Sequence, residues 1–67
     1  MKNNRVLITG GNGFIGNHIY QIFNGLSITT ARLDIVGDVE FVGDASNYQF
    51  LQNTINTFNP NIVIHCA

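Results

Sequence analysis

Charge is scarce in this 67-residue chain, which has three Lys or Arg residues, four Asp or Glu residues and a net charge of -1. That balance supplies neither a basic footprint for nucleic acid nor an acidic tail. Cysteine is scarcer still. Cys66 stands alone, so no disulfide can form within the chain, and a single thiol without a His/Cys cluster is not a zinc site. Long apolar runs are missing too. The opening MKNNRVLITG has a brief basic start, but glycines cut its apolar run too short for a signal peptide, and no stretch approaches membrane-spanning length. The expectation is a cytoplasmic protein with neither nucleic acid nor membrane as partner. What the chain does have is 45% apolar residues, which with so little charge points away from disorder. A chain this short removes only about 60% of its unfolded surface on folding, so its stability is marginal unless something adds to it.

Val6, Leu7 and Ile8 form a short apolar run within Arg5–Thr9, ended by glycines, and read as a buried strand. Gly10 to Gly13 is a loop. A helix is predicted from Phe14 to Asn24, with Ile15, Ile19, Ile22, Phe23 and Leu26 on one face. Asn24-Gly25 is its stop signal, the glycine being suited to a left-handed position. Leu26 to Leu33 reads as a second strand, Asp34 to Gly37 as a turn, and Val39 to Val42 as a third strand. Ser46 and Asn47 are N-cap candidates for a second helix whose apolar stripe is Tyr48, Leu51, Ile55 and Phe58, ended by Asn59-Pro60. Ile62, Val63 and Ile64 form a fourth strand. Buried runs alternating with helices indicate an α/β fold, a parallel sheet with helices on both faces.

Within that order, Gly10 to Gly16 carries the chemistry. Gly11, Gly13 and Gly16 spell G-x-G-x-x-G, while Gly10, Gly13 and Gly16 spell G-x-x-G-x-x-G. In both readings the first glycine permits a tight turn, the middle one lets backbone N–H groups approach a pyrophosphate, and the last allows close helix packing. The helix N-terminus then offers unpaired N–H groups and a favourable dipole to the phosphates. With glycine at about 7% of residues, three fixed glycines arise in roughly 3 of 10,000 windows, so context has to decide. The motif follows an apolar strand, opens an amphipathic helix and has an acid about 20 residues on, as a dinucleotide fingerprint requires. No Gly-Lys-Ser/Thr follows, which excludes a mononucleotide P-loop. The turn Gly10-Gly11-Asn12-Gly13-Phe14-Ile15-Gly16 is therefore the candidate cofactor site of a Rossmann-like unit. Four strands and two helices amount to the first half of the six-stranded form. Residues 1–67 are expected to be the N-terminal dinucleotide-binding segment of a longer protein, with catalytic and substrate parts outside this chain. Pairing with another chain, as in a homo-oligomer, is the other way to cover its apolar last strand.

Asp34 is the acid. A carboxylate there can accept hydrogen bonds from an adenosine ribose and repels a 2′-phosphate, which favours NAD over NADP. Its alternative role is that of a turn former. Arg32 lies on the same side of the strand by alternation; it is either a 2′-phosphate acceptor or, by preference, a solvated surface charge. Asp44, beside Ala45, either meets the adenine amino group or caps the second helix. His65, Cys66 and Ala67 end the fourth strand, where their backbone can run along the cofactor, but neighbouring strand residues point to opposite faces, which argues against a His65–Cys66 nucleophile pair. His18 is expected at the surface, and Tyr20 and Tyr48 in core or boundary packing.

These pieces together resemble the extended short-chain dehydrogenase/reductase family, the NAD-dependent epimerases and dehydratases. Thr9-Gly10-Gly11-Asn12-Gly13-Phe14-Ile15-Gly16 is similar to its TGxxGxxG turn, Asp34 to its post-strand acid and Gly43-Asp44 to its adenine-side pair. The stretch from Asn59 to Ala67 is similar to its P-D-x-V-[IV]-[HN]-x-A strand, and the short stretch from Leu33 to Asn47 is most similar to the dTDP-4-dehydrorhamnose reductase branch. The resemblance implies NAD or NADP as cofactor, a nucleotide-sugar substrate, and reduction, epimerisation or dehydration by a Tyr-x-x-x-Lys pair. Tyr20 is followed four residues later by Asn24 and Tyr48 by Gln52, so neither begins that pair. The alternative is a non-catalytic fragment that binds a dinucleotide or a partner protein.

Overall fold

The computed structural model describes residues 4–66. Its elements run β1 (Arg5–Thr9), α1 (Phe14–Gly25), β2 (Thr29–Asp34), β3 (Phe41–Val42), α2 (Tyr48–Phe58) and β4 (Ile62–His65). The four strands form one parallel sheet in the order β3-β2-β1-β4. Strand β1 is central, and among the four strands it alone is buried on both faces: Val6, Leu7 and Ile8 are all buried. Register sets Leu7 beside Ala31 and Val63, and Thr9 beside Leu33 and His65.

Alternation along β2 sorts the two faces. Ala31 and Leu33 join Leu7 in a core covered by Phe50, Leu51 and Phe58 of α2, with Phe41 and Ala45 at its margin. Arg32 points the other way and lies over the Tyr20 ring of α1. The helices therefore cover opposite faces, as the alternating pattern predicts. Among the described residues no helix is long and apolar enough to cross a membrane.

Both helices are rotated from their predicted apolar stripes. On α1, Ile15, Ile22 and Leu26 are exposed while Gly16 is buried. On α2, Tyr48 and Ile55 are exposed, and the inward face is Phe50, Leu51, Thr54 and Phe58. The reason is tertiary. Gly43 leaves a hollow that the Phe50 ring fills, since a Cβ there would overlap that ring. Thr54 is 2% exposed, and its hydroxyl is satisfied by donating to the Phe50 carbonyl at 2.9 Å.

The helix ends also differ from expectation. Helix α1 runs through Gly25, and the left-handed residue is Ser27, with φ 61°. Ser27 N–H donates to the Asn24 carbonyl and Ile28 N–H to the Phe23 carbonyl, which is the Schellman pattern. Strand β2 accordingly starts at Thr29 rather than Leu26 and reaches Asp34, and β3 shrinks to Phe41–Val42. Asn47 caps α2, its side chain accepting from Phe50 N–H at 3.0 Å. At the far end Asn59 is left-handed, Arg5 Nε donates to the Phe58 carbonyl at 2.9 Å, and the guanidinium lies 4.5 Å from the Phe58 ring centroid. A cation there complements the negative end of the helix dipole.

Candidate functional site

The turn between β1 and α1 is shaped by contacts that side chains would prevent. Gly10 has φ 72° and supplies the turn, so the reading that starts at Gly10 fits the backbone. Gly10 and Gly11 N–H both donate to the Leu33 carbonyl, at 2.8 and 3.1 Å, which ties the turn to the end of β2. A Cβ on Gly11 would overlap the Arg32 stem, and one on Gly16 would overlap the Gly10 carbonyl. Gly16 therefore packs the helix onto its own entry turn, a closer constraint than packing on the strand.

Gly13 is different. Its φ of -73° and ψ of 170° are extended values open to any residue, and a Cβ there would meet only the Gly10 carbonyl oxygen at 3.3 Å. The fold demands glycine less strictly here than at Gly11 or Gly16, where a Cβ would overlap its neighbours. What the missing side chain leaves is a bare approach to the start of α1, which has no side-chain cap and no acid in its first turn. Its first N–H groups thus face outward without a carboxylate or hydroxyl partner, the arrangement that takes an anion. Phe14, 91% exposed, and Ile15 stand beside this approach. The residues present fit a dinucleotide pyrophosphate.

Asp34 closes the turn from the other side. Its Oδ2 accepts from Asn12 N–H at 2.9 Å and its Oδ1 from Ile35 N–H at 2.7 Å. Each carboxylate oxygen has a second lone pair for a hydroxyl group. Asp34 is thus the last residue of β2 and a clamp on the glycine turn.

Arg32 is neither free nor solvated. Nε and Nη2 donate to Glu40 Oε1 and Oε2 at 3.1 and 2.7 Å, Nη1 reaches Asn17 Oδ1 at 3.5 Å, and the guanidinium lies 3.9 Å from the Tyr20 ring centroid. Arg32 backbone N–H also donates to Glu40 Oε1, at 2.8 Å. Glu40 thereby stands in for a strand partner where β3 is too short to supply one. The paired charges shift each other: hydrogen bonding to Glu40 raises the Arg32 pKa above its ordinary value, and hydrogen bonding to Arg32 lowers that of Glu40.

A cleft of about 400 Å³ opens at the carboxyl ends of the strands, bounded by Gly10, Asp34, Ile35, Asp44, Ala45 and His65. It adjoins β1, whose two sheet neighbours are β2 and β4. A ligand site in an open parallel sheet lies outside the carboxyl ends of its strands, at such a change of direction. Asp44 does not cap α2, because Asn47 does. Its Oδ1 instead accepts from Ser46 N–H and Oγ at 2.9 and 2.8 Å, and the Ser46 N–H bond chiefly lowers its pKa.

The cleft thus gathers Gly10, Asp34, Asp44 and Ala45, while Gly11 to Gly16 form the adjoining turn. Cys66 does not border the cleft; its N–H donates to the Thr9 carbonyl and prolongs the sheet. Ala67 lies outside the described residues. His65 borders the cleft, and its ring shares a hydrogen bond with Thr9 Oγ1. The β1–β4 register, which sets those two residues side by side, was the signal that finds it.

The model of the NAD dependent epimerase/dehydratase family matches residues 6–67. The chain is also similar to the decarboxylating sterol-4-alpha-carboxylate 3-dehydrogenase of Saccharomyces cerevisiae, at 31% identity over 98% of this chain and 24% of the relative. This chain thus spans about a quarter of that relative's length. Neither match supports the dTDP-4-dehydrorhamnose reductase branch. A family match that begins in β1, takes in the glycine turn and runs to the end of β4 agrees with the geometry, and the chain belongs to the NAD dependent epimerase/dehydratase family.

Proposed function

We propose that this chain holds NAD, in preference to NADP, for an oxidoreductase whose substrate is a nucleotide sugar. The observation that carries the reading is Gly13, a glycine that the fold constrains less than Gly11 or Gly16 and that leaves the start of α1 bare. The first-turn N–H groups of α1 bind the pyrophosphate, and the dipole adds to that attraction. Asp34 takes ribose hydroxyls on its remaining lone pairs and repels a 2′-phosphate. Asp44 and Ala45 border the adenine end of the cleft. When bound, the nicotinamide supplies the carbon that accepts or returns a hydride at a secondary alcohol or ketone. A nucleotide sugar is supported by the chain's resemblance to a family whose members act mostly on nucleotide sugars. The sterol carboxylate named for the yeast relative favours a second reading, a secondary alcohol on a hydrophobic skeleton. Both substrates call for the same cofactor chemistry.

Calorimetric titration of the full protein with NADH and with NADPH tests this. NADH is expected to bind at least about tenfold more tightly, equivalent to about 1.4 kcal/mol. Gly13→Val is expected to abolish NADH binding in a protein that still folds, as judged by circular dichroism. Equal NADH affinity in a folded Gly13→Val variant would remove the site assignment, and an NADPH preference would reverse the cofactor assignment. Turnover of nucleotide sugars against sterol carboxylates by the same protein separates the two substrate readings.

A further inference from the structure

We propose that Glu40 is a positioning residue for cofactor choice: by holding the Arg32 guanidinium against α1, it keeps the cation on the Asp34 side of β2 away from a 2′-phosphate. This rests on the reading of Asp34 as the ribose-facing acid. All three guanidinium nitrogens are engaged, two by Glu40 and one by Asn17, and one face is covered by Tyr20. Arginine binds a phosphate through the same planar fork of donors that Glu40 occupies. The stem is pinned as well, since Gly11 leaves no gap above the Arg32 Cβ.

The neighbourhood is arranged to keep the cation there. Glu40 has a backbone reason to stay, since its Oε1 also accepts Arg32 N–H. Asp38 adds a second negative charge to the Arg32 surroundings. Asn12 is locked in turn: its N–H goes to Asp34, and its side chain packs against Gly37, where φ is 112° and a Cβ would overlap the Asn12 amide. The short connection from Asp34 to Glu40 therefore does two things at once. It presents a carboxylate to the ribose side, and it turns the nearest arginine inward. Arg32 and Asp34 share a side of β2, so an unpaired Arg32 has the reach to offer its fork to a 2′-phosphate.

The test is titration of the full protein and two variants with NADH and with NADPH, alongside circular dichroism. Glu40→Gln keeps an oxygen for Arg32 N–H but removes the charge that holds the guanidinium. It is expected to leave NADH affinity within about twofold and to tighten NADPH by about tenfold, the scale of one charge-assisted bond. Adding Arg32→Ala to Glu40→Gln is expected to return the NADH-to-NADPH ratio to that of the parent. An unchanged ratio in folded Glu40→Gln overturns the proposal, and so does a gain that survives Arg32→Ala, because the charge of Glu40 itself would then be responsible. A parent protein that prefers NADPH removes the Asp34 reading along with this one. A parent that prefers NADH while Glu40→Gln has no effect removes this one alone.

Discussion

Gly13 and Gly16 look equivalent in the motif, yet each answers a different constraint. A methyl group at Gly16 collides with the backbone of Gly10 and Gly11, and backbone at the heart of a turn has little room to retreat. Overpacking of this kind costs about 1–3 kcal/mol, so Gly16→Ala is expected to lower stability by that amount in urea denaturation. Gly13→Ala is expected to cost less, since its Cβ would approach the Gly10 carbonyl oxygen to 3.3 Å rather than overlap it. Equal losses at both positions would mean that the fold, and not the ligand, selects glycine throughout. The spacing of the motif made all three glycines legible. The division of labour among them was not, because it depends on which carbonyl and which side chain face each missing Cβ. The same holds for Arg32. Its side of the strand followed from alternation, but its partner Glu40 sits across a connection that no periodicity describes.

At the level of elements, the helices and strands were legible because their signals are local: a buried apolar run, glycines, Asn47 before Tyr48, Pro60 after Asn59. Their rotations and ends were not. Tyr48 and Ile55 satisfied helical spacing and still face outward, because the hollow at Gly43 draws in Phe50 and sets the phase of α2. Helix α1 carries its glycine two residues early, so that Ser27 takes the left-handed position while Gly25 sits inside the helix with open space around it. A left-handed conformation costs an L-residue about 1–2 kcal/mol, and glycine in a helix costs about 0.5–1 kcal/mol relative to alanine. Ser27→Gly and Gly25→Ala are each expected to raise stability by about 0.5–1 kcal/mol. Thermal melts of the single and double variants check both values. A loss with Ser27→Gly would show that the serine side chain matters more than its backbone strain.

For the molecule as a whole, acid is the condition to which the structure is most exposed. Among the described residues, the two acids whose pKa values are displaced, Glu40 and Asp44, are both lowered, by hydrogen bonds from Arg32 and from Ser46 respectively. A lowered folded-state pKa means that the unfolded chain binds protons first. The stabilisation is therefore complete above the ordinary carboxylate range, about 4, and is lost as pH falls through the folded-state values. Melting temperature is expected to hold steady from pH 7 to pH 5 and to drop below pH 4. Glu40→Gln is expected to melt lower than the parent at pH 7, and the difference is expected to shrink as pH falls below the ordinary carboxylate range. A difference that does not shrink as pH falls would assign the loss to packing rather than to charge.

The register of β1 has a consequence in time as well as in space. Val6 pairs with Ile62, and Arg5 meets Asn61 across a separation of 56 residues. Ribosomes add about 5–20 residues per second, so β1 waits several seconds for β4 after it is made. During that wait β2 can shield only one of its edges. The other edge belongs to the most buried strand in the sheet, and contacts between distant residues are slow to close. The nascent chain is thus most vulnerable to association just before Ile62 emerges, when its best strand is still unpaired on one side.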